Sequence, residues 1–166
     1  MDTVEYDVTY PTYYNFGVHT LIELLKNDPE PVVRSSAATA LGHHMIPGTL
    51  KFLCEAAYDA DTNTRFGVTL GLGCFGSGFW NRDEVIHIIE QTEAAFLHLS
   101  RDEDEDVRDW TALAISHIAH KSKILRARLV EMTNDSSEIV AEEAKDSLQK
   151  VIEYEYERSI GTPGFY

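Results

Sequence analysis

The chain has 166 residues, of which 43% are hydrophobic and 25% charged, a composition that suits one globular domain with its own core. Its formal net charge is -14, which disfavours attraction to nucleic acid and favours a partner with positive charge. The acidic N-terminus has neither the basic start nor the apolar stretch of an export signal, and no run reaches the length of a membrane span. We therefore expect a cytoplasmic protein without membrane contact.

The N-terminal segment 1–18 is rich in aromatic residues. These residues are Tyr6, Tyr10, Tyr13, Tyr14 and Phe16. We expect the segment to cover the exposed end of the helical domain that follows it, in preference to a role in binding.

Four segments share one pattern, in which an aspartate opens a turn and a helix follows. The aspartates are Asp28, Asp59, Asp102 and Asp135, at steps of 31, 43 and 33 residues. Mostly apolar residues follow each aspartate at offsets of 5, 9 and 13, which places them on one face of a helix. Acidic residues in the turn are expected to cap the first N–H groups of that helix.

Each of these helices is preceded by another amphipathic stretch. The preceding stretches are 20–25, 49–57, 84–99 and 124–130. Units of two helices that bury their apolar faces only against neighbouring units are typical of solenoids. The pattern therefore predicts about four helix pairs.

Two segments, DPEPVVRSSAATALG (28–42) and DEDEDVRDWTALAIS (102–116), resemble the HEAT repeat, particularly its bacterial phycobilisome-lyase-type form. The resemblance covers most of residues 19–152. It implies an all-α fold, a right-handed α-solenoid of about four HEAT-like helix pairs. We place the repeat domain at 19–158 and a C-terminal tail, expected to fray, at 159–166.

The resemblance also implies a ladder of hydrogen bonds, because in that family the turn aspartate and the helix arginine join neighbouring repeats. The residues implied are Asp28, Asp59 and Asp102 with Arg34, Arg65 and Arg108. Ala141 stands where the fourth arginine would be. A last repeat has no following neighbour, so this loss and the polar surface around it fit a C-terminal cap.

The segment Gly71–Trp80 is interpreted as a glycine-rich loop that lengthens the second connection and accounts for the 43-residue step. Its aromatic residues Phe75, Phe79 and Trp80 are expected to pack into the core between repeats. The alternative is an exposed aromatic anchor, because long loops often carry function.

Seven histidines raise the alternative of a metal-dependent enzyme. His43 and His117 stand at the same offset, fifteen after their aspartates, and Cys74 aligns with both. Metal sites need carboxylates or thiolates that converge with the histidines, and some HEAT-like hydroxylases bind iron through His-Glu dipeptides that this chain lacks. The acidic run 102–106 lacks the Gly and Glu of a calcium-binding EF-hand. We therefore expect no metal, no cofactor and no catalytic residue.

The second helix of each pair is expected to line the concave face with offsets 7, 8, 11 and 15 after the aspartate. In the four repeats these positions are Ser35, Ser36, Thr39 and His43; Phe66, Gly67, Leu70 and Cys74; Asp109, Trp110, Leu113 and His117; and Glu142, Glu143, Asp146 and Lys150. The predicted partner-binding residues are Phe66, Leu70, Asp109, Trp110, Leu113, His117, Glu142, Glu143 and Asp146. An aromatic centre with a charged rim is typical of a binding hot spot, and Trp110 is the predicted anchor. The alternative for Trp110 is packing against the neighbouring repeat.

These features favour a protein–protein interaction module over an enzyme. We expect a monomeric adaptor that binds a protein with a basic surface. A narrower hypothesis is an inhibitor or immunity-type protein that neutralises a basic partner. The alternatives are a chromophore- or ligand-binding protein resembling the phycobilin lyases, which would need a wide apolar cleft, and a metal-dependent enzyme that uses the histidines.

Overall fold

The computed structural model describes residues 12–77 and 82–159, and every helix or strand element in those ranges is helical. The helices are α1 (Thr12–Asn27), α2 (Pro31–His44), α3 (Leu50–Ala56), α4 (Thr62–Gly76), α5 (Arg82–Leu99), α6 (Glu105–Ser116), α7 (Lys123–Met132) and α8 (Glu138–Ser159). Short 3-10 turns at Pro47–Thr49 and Ala119–Lys121 lead into α3 and α7. The prediction of four helix pairs is confirmed.

The helices form two layers. The first helices of the pairs contact one another in the order α1, α3, α5, α7, and the second helices do so in the order α2, α4, α6, α8. Each pair therefore packs against its sequence neighbours, which is the organisation of a solenoid. No helix in the described ranges is both long enough and apolar enough to cross a membrane.

The core lies between the two layers. The second helices contribute the side chains at the predicted offsets of 5, 9 and 13 after the aspartate. Among these, Val68, Val107 and Ile115 are fully buried. The first helices contribute large side chains such as Leu53 and Phe96. Because each apolar face is buried only by the neighbouring helices, the pattern that specifies single helices also specifies the stack.

The helix starts use acids in the turn, but the cap is not the aspartate that opens each repeat. The side chains of Asp61 and Asp104 accept hydrogen bonds from the first backbone N–H groups of α4 and α6. Asp59 and Asp102 instead each accept from the backbone N–H two residues later, at 2.8 and 3.0 Å. The opening aspartate is thus a turn former, and the cap follows it.

The second helices α2 and α4 approach closely because glycines stand where they meet. A Cβ on Gly42 would lie 2.2 Å from the Cα of Gly71, and a Cβ on Gly67 would lie 2.4 Å from the carbonyl oxygen of Ser35. Any larger residue at these positions would force the helices apart. Gly67 is therefore buried against α2, and its predicted place on the binding face is wrong.

The predicted loop at Gly71–Trp80 is wrong for its first six residues, which continue α4 as far as Gly76. Phe75 is fully buried, as expected of the aromatic residues, whereas Phe79 and Trp80 lie outside the described residues. The long step between repeats comes mostly from α5, which has 18 residues against 7 in α3 and 10 in α7. The glycines of this segment allow close helix packing. A high glycine content alone did not distinguish such packing from a loop.

The predicted terminal segments fall mostly outside the described residues. These are residues 1–11 and 160–166, and the side chains of 12–15 are outside as well. α1 begins at Thr12 and so extends across the predicted boundary at residue 18. Phe16 is 74% exposed, so its side chain does not pack against the core.

Candidate functional site

Three arginine–aspartate pairs join consecutive repeats along the edge formed by the turns. Arg34 donates from Nε and Nη2 to the two carboxylate oxygens of Asp59, at 2.9 and 3.0 Å. Arg65 does the same to Asp102 at 2.6 and 2.9 Å. Arg108 repeats the arrangement with Asp135 at 3.0 and 2.9 Å. The planar guanidinium matches a carboxylate through two parallel hydrogen bonds, which fixes direction as well as distance.

Each arginine also anchors its own turn. The Nη1 groups of Arg34, Arg65 and Arg108 donate to the carbonyl oxygens of the residues that open their own repeats, at 2.8–3.1 Å. The predicted ladder is present with one shift. Asp28 contributes its carbonyl, while its carboxylate accepts from the Glu30 amide, and Asp135 supplies the last carboxylate.

The pairing alters the acidity of the ladder carboxylates. Burial by itself would raise the pKa of Asp59 and Asp102, but hydrogen bonds from the arginines and from backbone amides outweigh it and lower both values. The pKa of Asp135 is lowered chiefly by its hydrogen bond from Arg108. These acids therefore stay ionised and paired.

A cleft of about 280 Å³ lies across α2, α4 and α6 on the face of the second helices. Its lining includes six predicted face positions, at offsets 11 and 15 of the first three repeats. The six are Thr39, Leu70, Leu113, His43, Cys74 and His117. Trp110 also lines the cleft, as do the small residues Gly73 and Ala114, which the sequence analysis did not select. We call this site the second-helix cleft.

Trp110 packs against another repeat and also presents part of its ring to solvent. Its ring contacts that of Phe66 edge to face, with 6.2 Å between the centroids, so it packs against the preceding repeat. It nevertheless remains 42% exposed. A large aromatic side chain that packs on a neighbouring ring and is exposed to solvent on its other side is suited to contact a partner.

The polar groups that line the second-helix cleft are already engaged within the chain. The Thr39 hydroxyl donates a hydrogen bond to the Ser35 carbonyl oxygen at 3.1 Å. The Thr69 hydroxyl donates one to the Arg65 carbonyl oxygen, also at 3.1 Å. The Nδ1 of His117 donates to the Gly73 carbonyl at 3.2 Å. These bonds leave a lining that behaves as apolar although it contains hydroxyl and imidazole groups.

Two lining groups are kept from ionising by their surroundings. Burial raises the pKa of the Cys74 thiol. Burial also lowers the pKa of His117, with a further contribution from Lys150, against the opposing hydrogen bond to Gly73. The cleft is therefore uncharged at these two positions at neutral pH.

Carboxylates continue the face beyond the cleft, on α6 and α8. Asp109 and Glu143 are half-buried, while Glu142 and Asp146 are exposed. Burial raises the pKa of Asp109, and the nearby charges of Glu143 and other acids raise it further. This is the opposite of the ladder, because no arginine is placed to pair with Asp109 in the described part of the chain.

His43 and Cys74, which stand at the same offset in their repeats, lie together. The Nδ1 of His43 is 3.6 Å from the Sγ of Cys74. Within residues 12–77 and 82–159, no group of three or more His, Cys, Asp or Glu side chains is arranged to hold a metal ion. The raised pKa of Cys74 disfavours the thiolate that a metal or a nucleophilic reaction needs.

Residues 18–91 match the family described as HEAT repeats. The match ends within α5, the first helix of the third pair, but the Arg65–Asp102 and Arg108–Asp135 pairs continue the same geometry beyond it. No curated protein matches this chain in sequence.

The helix pairs of this chain are similar in fold to those of solved repeat proteins. A designed armadillo repeat protein in complex with the peptide (KR)4 shares 18% identity at a TM-score of 0.65, over 84% of this chain and 66% of that one. The complex of CpcE and CpcF of phycocyanin lyase from Nostoc sp. shares 18% identity at a TM-score of 0.62, over 83% of this chain and 90% of that one. An engineered protein shares 18% sequence identity at a TM-score of 0.64, over 81% of this chain. The chain spans 62–66% of the designed and engineered proteins, and identities this low show the fold alone.

Proposed function

We propose that this chain is a protein-interaction module that binds an extended, basic segment of a partner protein along the face of its second helices. The observation that carries the proposal is the arrangement on α6 and α8. A half-exposed Trp110 stands beside carboxylates that have no arginine partner in the ladder, chiefly Asp109 and Glu142. An aromatic anchor within a charged rim suits recognition of a partner of opposite charge.

Charge and fold both support a basic partner. The net charge of -14 gives long-range attraction to cations, which raises association rates at low salt. A designed armadillo repeat protein of similar fold is known in complex with (KR)4. The narrower hypothesis, an inhibitor or immunity-type protein for a basic partner, has only the charge as support. We propose a monomer that needs no cofactor and carries out no reaction.

The similarity to the phycocyanin lyase complex makes a chromophore-binding role the second candidate. The size of the second-helix cleft counts against it. Pockets for drug-sized ligands have volumes of roughly 300–1,000 Å³. At about 280 Å³, the cleft is at the lower limit of that range and would leave most of a multi-ring pigment exposed.

The test is a titration of the chain with a fluorescently labelled (KR)4 peptide at low and high salt. We expect saturable binding that weakens steeply with salt, because the attraction is screened. Trp110→Ala should weaken binding by about 30-fold, the effect expected of a hot-spot tryptophan. The double variant E142K/D146K should weaken it further at low salt.

Matched controls change an aromatic residue in the turn after α3 and two acids on the first helices α3 and α5. Tyr58→Ala removes a comparably exposed aromatic ring that stacks on His98, and E55K/E90K makes the same change in net charge. Both should bind nearly as the unaltered chain does. Equal losses in the controls would mean that attraction is diffuse, and no binding at low salt would contradict the proposed function.

A further inference from the structure

The second-helix cleft has the size of one large side chain. A cavity of about 150 Å³ is enough to bind benzene, so the 280 Å³ here holds an aromatic ring together with the methylenes that lead to it. Its walls are Leu70, Leu113 and Trp110. Gly73 and Ala114, which also line it, have too little side chain to fill the space between those walls. Two small residues thus create the depth and three large ones create the apolar walls.

The lining of the cleft suits an apolar occupant better than a charged one. None of the described residues that line it carries a carboxylate, so an inserted ammonium or guanidinium group would lose water without gaining a partner of opposite charge. The Thr39, Thr69 and His117 polar groups are engaged with backbone carbonyls. An apolar ring gives up no hydrogen bonds with water by entering such a site and gains contact with the Trp110 ring.

The acids begin directly beside the cleft. Asp109 precedes Trp110 in α6. Glu143 of α8 lies near enough to Asp109 to raise the pKa of that carboxyl. A segment whose apolar side chain occupies the cleft would therefore place its neighbouring residues over these carboxylates. Basic residues there would find the opposite charge that the cleft lacks.

We propose that the second-helix cleft binds a single large apolar side chain, aromatic by preference, from a partner segment in which lysine or arginine residues flank it. The proposal rests on the proposed function and specifies its partner more closely. A purely basic segment would use only the rim, while the apolar residue sets the register of the segment. Leu70 and Leu113 are then specificity-determining residues.

A set of host–guest peptides tests this, each with lysines and arginines around one central guest residue. The guests are Ala, Lys, Leu, Phe and Trp, and the dissociation constants are measured by calorimetry. We expect Phe and Trp to bind at least about tenfold more tightly than Ala, as burial of a large apolar side chain predicts, and Lys to gain nothing over Ala. L70A and L113A should remove most of the Phe preference, so that the Phe and Ala peptides bind these variants about equally.

The controls separate this proposal from a change of fold and from the proposed function. Ile124→Ala alters an equally apolar but exposed residue on α7 and should leave the guest preference intact, and thermal melting checks that L70A and L113A still fold. Binding of all basic peptides without guest dependence would overturn the cleft proposal and leave the proposed function standing. Absence of binding for every peptide would overturn both.

Other occupants would also be recognised. A dimer that forms on its own and is dispersed by L113K would assign the cleft to a second copy of the chain. Free indole that binds as tightly as the Trp peptide would assign it to a small aromatic ligand. Either result would overturn the proposal.

Discussion

The chain uses the same acidic side chain in two opposite ways. On the edge of the turns, Asp59, Asp102 and Asp135 each meet an arginine of the preceding repeat, and their pKa values are lowered. On the face of the second helices, Asp109 is half-buried near Glu143, and its pKa is raised. The edge acids hold the repeats together, while the ionised form of Asp109 weakens the fold slightly.

This difference shows that net charge alone misleads about where a partner binds. The acids in the ladder belong to the fold, although they contribute to the value of -14 as much as the others. Acids that form no ladder pair can bind a cationic partner without loss of the hydrogen bonds that join the repeats. Four experiments test how far this separation holds.

The largest effect is expected from Arg65→Ala. The side chains of Arg65 and Asp102 are 9% and 2% exposed, so the substitution leaves a carboxylate buried without its partner. Removing one member of such a pair costs about 3–5 kcal/mol. Urea unfolding should show this loss, and Arg101→Ala, an exposed arginine beside the same turn, should change the free energy of unfolding little.

Arg34→Ala sharpens the same test. Its pair with Asp59 is more open, with side chains 15% and 18% exposed, so water can replace part of the lost interaction. We expect a loss of about 1–2 kcal/mol. Equal losses for the two variants would show that burial does not set the strength of the ladder.

A smaller effect is expected from acid. The ladder carboxylates have folded pKa values below their unfolded ones, so the folded state binds fewer protons there. Their stabilisation is present above the unfolded pKa of about 4 and is lost as pH falls through the lower, folded value. Free energies of unfolding measured between neutral pH and strong acid should decline over that range, and a flat profile would contradict the role of the ladder.

The smallest effect is expected from Asp109→Asn. The folded pKa of Asp109 is raised, so its ionised form at neutral pH costs stability instead of adding it. Neutralising it should stabilise the chain at neutral pH by less than about 1 kcal/mol and should weaken binding of a basic peptide. A variant that is both less stable and equally able to bind would place Asp109 with the ladder acids.

Sequence patterns identified most of the fold. The offsets of 5, 9 and 13 after each aspartate predicted the buried face of every second helix, as at Val68 and Ile115. Two other predictions were wrong: offset 8 placed Gly67 on the binding face, and glycine content assigned residues 71 to 76 to a loop. A glycine gives the same local signal in a loop and at a close contact between helices, so only its neighbours distinguish the two.

By itself, the sequence determined the helices and their pairing, because these follow from local periodicity and from a motif that repeats along the chain. The resemblance to HEAT repeats implied the ladder, apart from the carboxylate of Asp135. Only the tertiary structure decided that Gly73 and Ala114 would face an opening between Leu70, Leu113 and Trp110. It also decided which acids have an arginine partner. Both outcomes depend on distances between residues of neighbouring repeats, which are 25, 37 and 27 positions apart in the three ladder pairs. The packing of one helix pair on the next determines these distances, and no single repeat encodes them.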